Sequence, residues 1–239
     1  MYEDFVKEIV DGYIKSSTAD HGIKQLHTMH KEAVSRTDPV ILELGVQTGI
    51  STKIFLNAVH RGSGGQLVSV DIEDCSHVAQ SSKWTFVRSD SANVENVLNT
   101  APVINSGVDI LYIDSLHHVD HVRKELLGFF PYVKNGGVIF FDDVDSIPYM
   151  RGREKDNIHT EIGNRDILNF INEVFEDNID KLYLTFERGS TGLIMLQKCA
   201  PLGTKLSSQP QLRARKSKIY WKYRRSIEKR LRRLGVSIS

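Results

Sequence analysis

Cysteine is scarce in this 239-residue chain: Cys75 and Cys199 stand far apart with no CxxC spacing, so neither a disulfide framework nor a zinc knuckle is encoded. No apolar run approaches the roughly 20 residues that span a bilayer. The opening Met1-Tyr2-Glu3-Asp4 lacks the basic-then-apolar pattern of a secretory leader, so the expectation is a cytoplasmic protein with reduced thiols. Internal repeats are also absent. What is present, 40% hydrophobic and 26% charged residues, suffices for one sizeable core. The net charge is only +1, but it is unevenly spread. From Lys205 onward twelve Lys/Arg face one acid, Glu228, leaving that segment at +11 and the first 204 residues at −10. An acidic body with a basic tail bears on partners, not on fold.

Five segments rich in Val, Ile, Leu and Phe are continuously apolar and read as buried parallel strands: Val40 to Val46, Leu67 to Ile72, Thr85 to Arg88, Val108 to Ile113 and Val138 to Phe141. Helical spacing in Ile50 to His60 and Val119 to Val133 separates them, the second ending at the stop signal Asn135-Gly136-Gly137. This alternation implies right-handed crossovers and a doubly wound α/β sheet. A helix over Ile162 to Phe175 precedes Leu182 to Phe186 and Leu193 to Gln197, which the short Arg188-Gly189-Ser190-Thr191-Gly192 link joins as an antiparallel hairpin. Tyr2 to Ile14 and Ile23 to Val34 read as helices ahead of the sheet, covering its ligand side or an oligomer interface. The expected organisation is an N-terminal helical segment (1–38), the α/β domain (39–199), a linker (200–212) and a basic tail (213–239).

The first strand runs through Glu43-Leu44-Gly45-Val46-Gln47-Thr48-Gly49-Ile50-Ser51-Thr52 into a helix. A glycine turn thus falls at the carboxyl end of a strand, where open α/β sheets bind ligands. Gly45 and Gly49 permit close backbone approach, and Glu43 offers an anion for a cationic amino group. Pyrophosphate recognition asks for GxGxxG, whereas this chain has GxxxG and an acid, which favours an amino-acid-bearing nucleoside over a dinucleotide. Asp71, in Val70-Asp71-Ile72, ends the second strand where a ribose diol is hydrogen-bonded, and Asp90 follows the third at the adenine end.

Over roughly Pro39 to Lys198 these motifs resemble the class I S-adenosylmethionine-dependent methyltransferases, with GVxTGxS most like the small O-methyltransferase branch. The resemblance implies a Rossmann-like, seven-stranded, mostly parallel sheet. It also implies S-adenosylmethionine bound by Glu43, Gly45, Gly49, Ser51, Asp71, Ile72, Asp90 and Asp114. Gln47 departs from it, standing where many members have a third glycine.

The fourth strand leads into Asp114-Ser115-Leu116-His117-His118 and the fifth into Asp142-Asp143. Adjacent parallel strands bring Asp114, Asp142 and Asp143 to one sheet edge, where three carboxylates repel unless protonated or bridged by a hard cation such as Mg²⁺, Ca²⁺ or Mn²⁺. The region is similar to catechol-type and macrolide-sugar-type O-methyltransferases, whose matching acids hold a divalent ion that orients a substrate hydroxyl. His117 fits the I-D-x-x-H pattern and, with Asp114, is the candidate catalytic group; a capping or surface histidine is the alternative. His117 and His121 lack an intervening glutamate and a third ligand, which argues against zinc. Val144 to Thr160, with Tyr149, Arg151, Arg153 and His159, reads as a substrate lid or a solvated loop.

These readings point to methyl transfer onto a hydroxyl of a small molecule, sugar or glycan, with two alternatives. A nucleic-acid methyltransferase would use the basic tail, but Ile113-Asp114-Ser115-Leu116 replaces the Asp/Asn-Pro-Pro-aromatic motif of base amino-methylating members. A non-catalytic cofactor-binding protein would keep the fold alone. In the tail, Tyr220, Tyr223, Ile227, Leu231 and Leu234 recur every three or four residues, predicting one apolar face on a basic helix from about Lys216 to Leu234. Such a helix suits an anionic membrane surface at the inner face, or the acidic body of the same or a neighbouring subunit in a homo-oligomer.

Overall fold

The computed structural model describes residues 4, 7–8, 21–146, 158–207 and 218–233. Seven strands form one sheet in the order β3-β2-β1-β4-β5-β7-β6. They are β1 (Val40–Leu44), β2 (Gln66–Asp71), β3 (Trp84–Arg88), β4 (Val108–Ile113), β5 (Val133–Phe141), β6 (Leu182–Glu187) and β7 (Leu193–Lys198). Strands β1 to β5 pair in parallel, while β7 runs antiparallel to both β5 and β6. Strand order reverses between β1 and β4, so the loops leaving these two strands diverge and open a crevice at their carboxyl ends.

Because successive side chains on a strand point to opposite faces, each strand feeds two cores. Leu42, Leu44, Val68, Val70, Leu111 and Ile113 face α3 (Val94–Thr100), α4 (Val119–Phe129) and α5 (Ile158–Asp177). Ile41, Leu67, Ile110 and Tyr112 face α1 (His21–Val34) and α2 (Ile50–Val59). The amphipathic basic helix α6 spans Lys218–Arg233.

All seven expected strands are present, with shifted ends. Helix α4 stops at Phe129, not at Asn135-Gly136-Gly137, because Pro131 supplies no backbone donor and a 3-10 turn, Phe130–Tyr132, follows. The glycine pair instead lies inside β5, where Gly136 adopts φ 77° and the register against β4 shifts between Val108 and Ile110. That makes it a bulge. Short α3 went unpredicted. The expected helix Tyr2 to Ile14, apart from Asp4, Lys7 and Glu8, and the lid residues Tyr149, Arg151 and Arg153 lie outside the described residues.

The composition of 200–212 suggests a linker, but 200–207 packs on the body. Leu206 is buried in the first core, the Gly203 N–H donates to the Pro131 carbonyl at 2.7 Å, and the Ser207 N–H donates to Asn178 Oδ1 at 3.2 Å. Next to it, fully buried Lys198 donates Nζ hydrogen bonds to the Phe130 and Val133 carbonyls, and burial pushes its pKa down to about 8. A leucine on a free tether contributes almost nothing, whereas one in a core contributes about 2–5 kcal/mol. Leu206→Ala should therefore lower the unfolding free energy in urea by about 2 kcal/mol; a change below about 0.5 kcal/mol would mark the segment as a tether after all.

Candidate active site

The crevice is built around Gly45. Its φ is 99°, and a Cβ there would sit 2.0 Å from the Asp114 carbonyl oxygen, so only glycine lets the loop after β1 pass the loop after β4. The contact is stitched on both sides, by the Gly45 N–H to the Val70 carbonyl (2.9 Å) and the Asp114 N–H to the Leu44 carbonyl (2.8 Å). Gln47, at φ 48°, continues the turn without glycine's freedom. It is held there by Asp71, whose Oδ2 accepts the Val46 and Gln47 N–H groups at 2.8 and 3.1 Å while Oδ1 accepts that of Glu73 at 2.9 Å. Burial works against the Asp71 carboxylate, but these three backbone donors outweigh it and hold the pKa below the usual value.

A cavity of about 930 Å³ opens at this edge, within the range of small-molecule sites. Gly45, Ser51, Asp71, Ile72 and Asp90 line one part of it, and Asp114, His117, Asp142 and Asp143 another. Helix α1 walls it with Ile23, Leu26 and Met29, and is pinned to the β6–β7 hairpin by Gln25 Nε2 donating to the Gly189 carbonyl and Thr28 Oγ1 donating to Glu187. The expectation that N-terminal helix covers the ligand side is thus met by α1.

Two of the expected cofactor contacts lie behind this surface. Gly49, at φ 74°, precedes the first turn of α2, where a Cβ would press on Val78 at 2.8 Å. Glu43 is fully buried beneath α2 and is no wall of the cavity, so it cannot meet a ligand's amino group directly. Its Oε2 accepts hydrogen bonds from Thr52 Oγ1 (2.8 Å) and Ser69 Oγ (2.6 Å), tying α2 to β1 and β2. Burial raises its pKa to about 7, against the pull of the Ser51, Ser69 and Thr52 hydroxyls.

At the other end, Tyr112, two residues before Asp114 and therefore on the same side of β4, places its hydroxyl 2.9 Å from Asp114 Oδ2 and 2.8 Å from Asp142 Oδ2. A phenol carries one proton, so one of these two contacts needs a carboxyl proton. Asp142 is the group to hold it: burial, then the charges of Asp114 and Asp143, push its pKa up to about 7. His117 bridges the other two acids, with Nε2 3.2 Å from Asp114 Oδ1 and Nδ1 3.1 Å from Asp143 Oδ2. Hydrogen bonds to Asp114 and then Asp143 raise its pKa to about 10, despite burial. Donor atoms of Asp114, His117 and Asp143 lie within 4.8 Å of one another. The sequence set Asp114, Asp142 and Asp143 for a cation; the geometry groups His117 with Asp114 and Asp143, and turns Asp142 toward Tyr112 and its own neighbour's N–H.

Sequence reasoning missed Tyr112 and a second buried acid. Glu125 of α4 is fully buried, and its Oε1 receives the hydroxyls of Ser91 and Ser115 and lies 3.2 Å from His121 Nε2. It clamps the loops after β3 and β4 from below. Asp90 itself stays at the rim, with Oδ1 accepting the Ala92 N–H at 2.8 Å, and Ile72 is 67% exposed at the lip.

The buried Glu43 carboxyl yields a sign-determined prediction. An acid whose folded pKa exceeds its unfolded value binds protons more tightly when folded, so the protein loses stability as pH rises from about 4.5 through about 7. The full effect is on the order of 3 kcal/mol. Urea unfolding of wild type and Glu43→Gln at pH 5 and pH 8 should show the variant free of this component; an equal pH dependence in both would mean that Glu43 is charged in the fold.

Residues 42–144 match a family model described as a methyltransferase domain. No curated protein matches the sequence. Among solved structures, the chain is similar to the MycE methyltransferase of the mycinamycin biosynthetic pathway in complex with Mg, S-adenosylhomocysteine (SAH) and mycinamycin VI, at 20% identity and TM-score 0.55, over 81% of this chain and 54% of that one. It is also similar to an O-methyltransferase from Bacillus cereus in complex with SAH (17% identity, TM-score 0.56, 82% and 91% covered). A third is the SAH-bound methyltransferase PaMTH1 of Podospora anserina (12%, TM-score 0.57, 82% and 87%). The chain spans about half the length of the MycE structures it matches. Strand order, glycine turn and the match over residues 42–144 agree on the Rossmann-like fold of a methyltransferase domain.

Proposed function

We propose that the chain moves the sulfonium methyl group of S-adenosylmethionine to a hydroxyl of a small molecule, with sugars or glycans as the acceptor class and a divalent cation assisting. The observation that carries this reading is the junction of two chemistries in one cavity, a glycine-turn nucleoside groove and a cluster of acids with His117. When bound, the sulfonium supplies an electrophilic methyl carbon, and a Mg²⁺-like ion orients an acceptor hydroxyl and lowers its pKa.

The residues present fit both groups. Gly45 and Asp71 line the same wall of the cavity, and Asp71, held by three backbone N–H groups and Cys75, sets a carboxylate where a ribose diol would lie. Asp90 stands at the adenine end of the same groove. Asp114, His117 and Asp143 offer hard oxygen donors and an imidazole at one point, a set compatible with a divalent ion. The charges of Asp114 and Asp143 are here balanced by His117, which as a protonated imidazole is a hydrogen-bond donor and as a neutral one a ligand or proton acceptor. Ile23, Leu26 and Met29 of α1 wall the site against water, favouring alignment of acceptor and methyl group. Acceptor hydroxyls on glycosides fit the similarity to MycE, solved with mycinamycin VI, although that similarity speaks for fold alone.

Replacing Asp71 with Ala removes charged hydrogen bonds worth roughly 1.5–3 kcal/mol, so calorimetric SAH affinity should fall about tenfold or more. Unchanged affinity would place the nucleoside elsewhere. Mn²⁺ titration followed by paramagnetic resonance should show one bound ion in wild type and an affinity at least about tenfold weaker in Asp143→Asn. With labelled S-adenosylmethionine and a panel of glycosides and phenols, chelator should stop transfer and Mg²⁺ or Mn²⁺ restore it. Full transfer in excess chelator would remove the metal from the proposal and leave the deprotonation to His117.

A further inference from the structure

Helix α6 carries an apolar face that the described residues leave open. Ile219 is 65% exposed, Tyr223 69% and Ile227 54%. At the helical angle per residue, Ile219, Tyr223, Ile227, Tyr220 and Leu231 fall within an arc of roughly 120° that also holds Arg230, while Lys222, Arg225, Lys229 and Arg233 fall on the opposite side within roughly 80°. Of the helix's 16 residues eight are Lys or Arg and one, Glu228, is acidic, with Arg224 paired to it at 3.0 Å. No described helix is long and apolar enough to cross a membrane.

Several observations narrow what covers this face. Docking on the acidic body of its own chain would bury Ile219, Tyr223 and Ile227, and here they are exposed. A protein partner would need an apolar trough with acidic rims matched to a helix roughly 24 Å long. A bilayer interface supplies that combination without a specific shape, as apolar acyl chains beneath anionic headgroups. Tyrosines suit that boundary, with the ring in the apolar layer and the hydroxyl in water. The charge distribution agrees, since the first 204 residues are net −10 and are repelled by an anionic surface unless a separate basic element brings them there.

We infer that α6 is a docking element for anionic lipid bilayers, lying in the interfacial plane with Tyr220, Tyr223, Ile227 and Leu231 toward the acyl chains, the bases of the opposite face toward the headgroups and the long Arg230 side chain reaching up to them from the apolar face. The inference is independent of the methyl-transfer reading.

Vesicle co-sedimentation of the full chain tests it. The protein should pellet with vesicles of phosphatidylglycerol and phosphatidylcholine, and stay in solution with phosphatidylcholine alone. Binding should weaken as salt rises. Tyr223→Ser combined with Ile227→Ser keeps every charge and should weaken binding at least about tenfold; Arg225→Glu combined with Lys229→Glu keeps the apolar face and should do the same. Both variants should bind SAH as wild type does, which separates this test from the cofactor assignment and shows the body folded. Equal sedimentation with neutral vesicles, or none with either kind, overturns the inference. So does unchanged binding by the serine variant, which would mark α6 as a charge-only contact for RNA or another polyanion. Light scattering that shows self-association dissolved by the serine variant, without vesicle binding, would make a second copy the occupant and equally overturn it.

Discussion

The passage of Gly45 beneath the Asp114 carbonyl is the contact on which the site depends. There the loops leaving β1 and β4 touch, and the missing Cβ permits the approach: any other side chain would have to occupy a point 2.0 Å from a backbone oxygen. That closeness sets the distance between the nucleoside groove and the acids, because Gly45 belongs to one and Asp114 to the other. A group transfer between two bound molecules is governed by such a distance, since prepaid positioning removes much of the entropic barrier. Asp71 completes the constraint from the β2 side by holding the Val46 and Gln47 N–H groups, which lets a non-glycine residue persist at φ 48°.

In and beneath this surface the carboxylates are met by hydroxyls and imidazoles, some of them shared. Glu43 has hydroxyls, Glu125 has two serines and His121, Asp142 has the Tyr112 hydroxyl, and Asp114 and Asp143 share His117. Burial disfavours the charged form, which raises the value of Glu43 and, with the charges of Asp114 and Asp143 added, that of Asp142. Glu43 and Glu125 are structural fasteners below the crevice, one for α2 and one for the loops after β3 and β4. Asp114, His117 and Asp143 instead face the cavity with their donor atoms grouped at one point, which separates them from acids that look alike along the chain.

The sheet was legible because its central strands are buried on both faces and therefore continuously apolar, as in Val108–Ile113. Boundaries were less so: Asn135-Gly136-Gly137 carries a stop signal in any context, yet pairing with β4 absorbs it as a bulge while Pro131 ends the helix earlier. Helix α3 escaped because seven residues, mostly polar, show too little periodicity. At the site, strand ends located Asp71, Asp90, Asp114 and His117 at the cavity, since topology puts the carboxyl ends of the parallel strands β1 to β5 on one edge. Glu43 was placed on the same reasoning but points under α2, a distinction set by the strand's alternation. Glu125 was illegible, as a glutamate in an amphipathic helix reads as solvent-facing until two loops are seen folded over it.

The walls of the cavity differ in origin. Gly45, Asp71 and Asp90 come from the parallel core that recurs throughout the fold, whereas Ile23, Leu26 and Met29 come from α1, and Ser190 and Thr191 from the turn between β6 and β7. These two elements hold each other, through Gln25 to the Gly189 carbonyl and Thr28 to Glu187, with little dependence on the glycine loop. Side chains on α1 can therefore vary in size and polarity without disturbing Gly45 or Asp71, whereas Thr191 of the turn hydrogen-bonds Asp143 and ties the hairpin to the acid cluster. On the proposed function, acceptor choice falls to the added helix and the antiparallel hairpin, and methyl-group chemistry to the ends of the parallel strands between them.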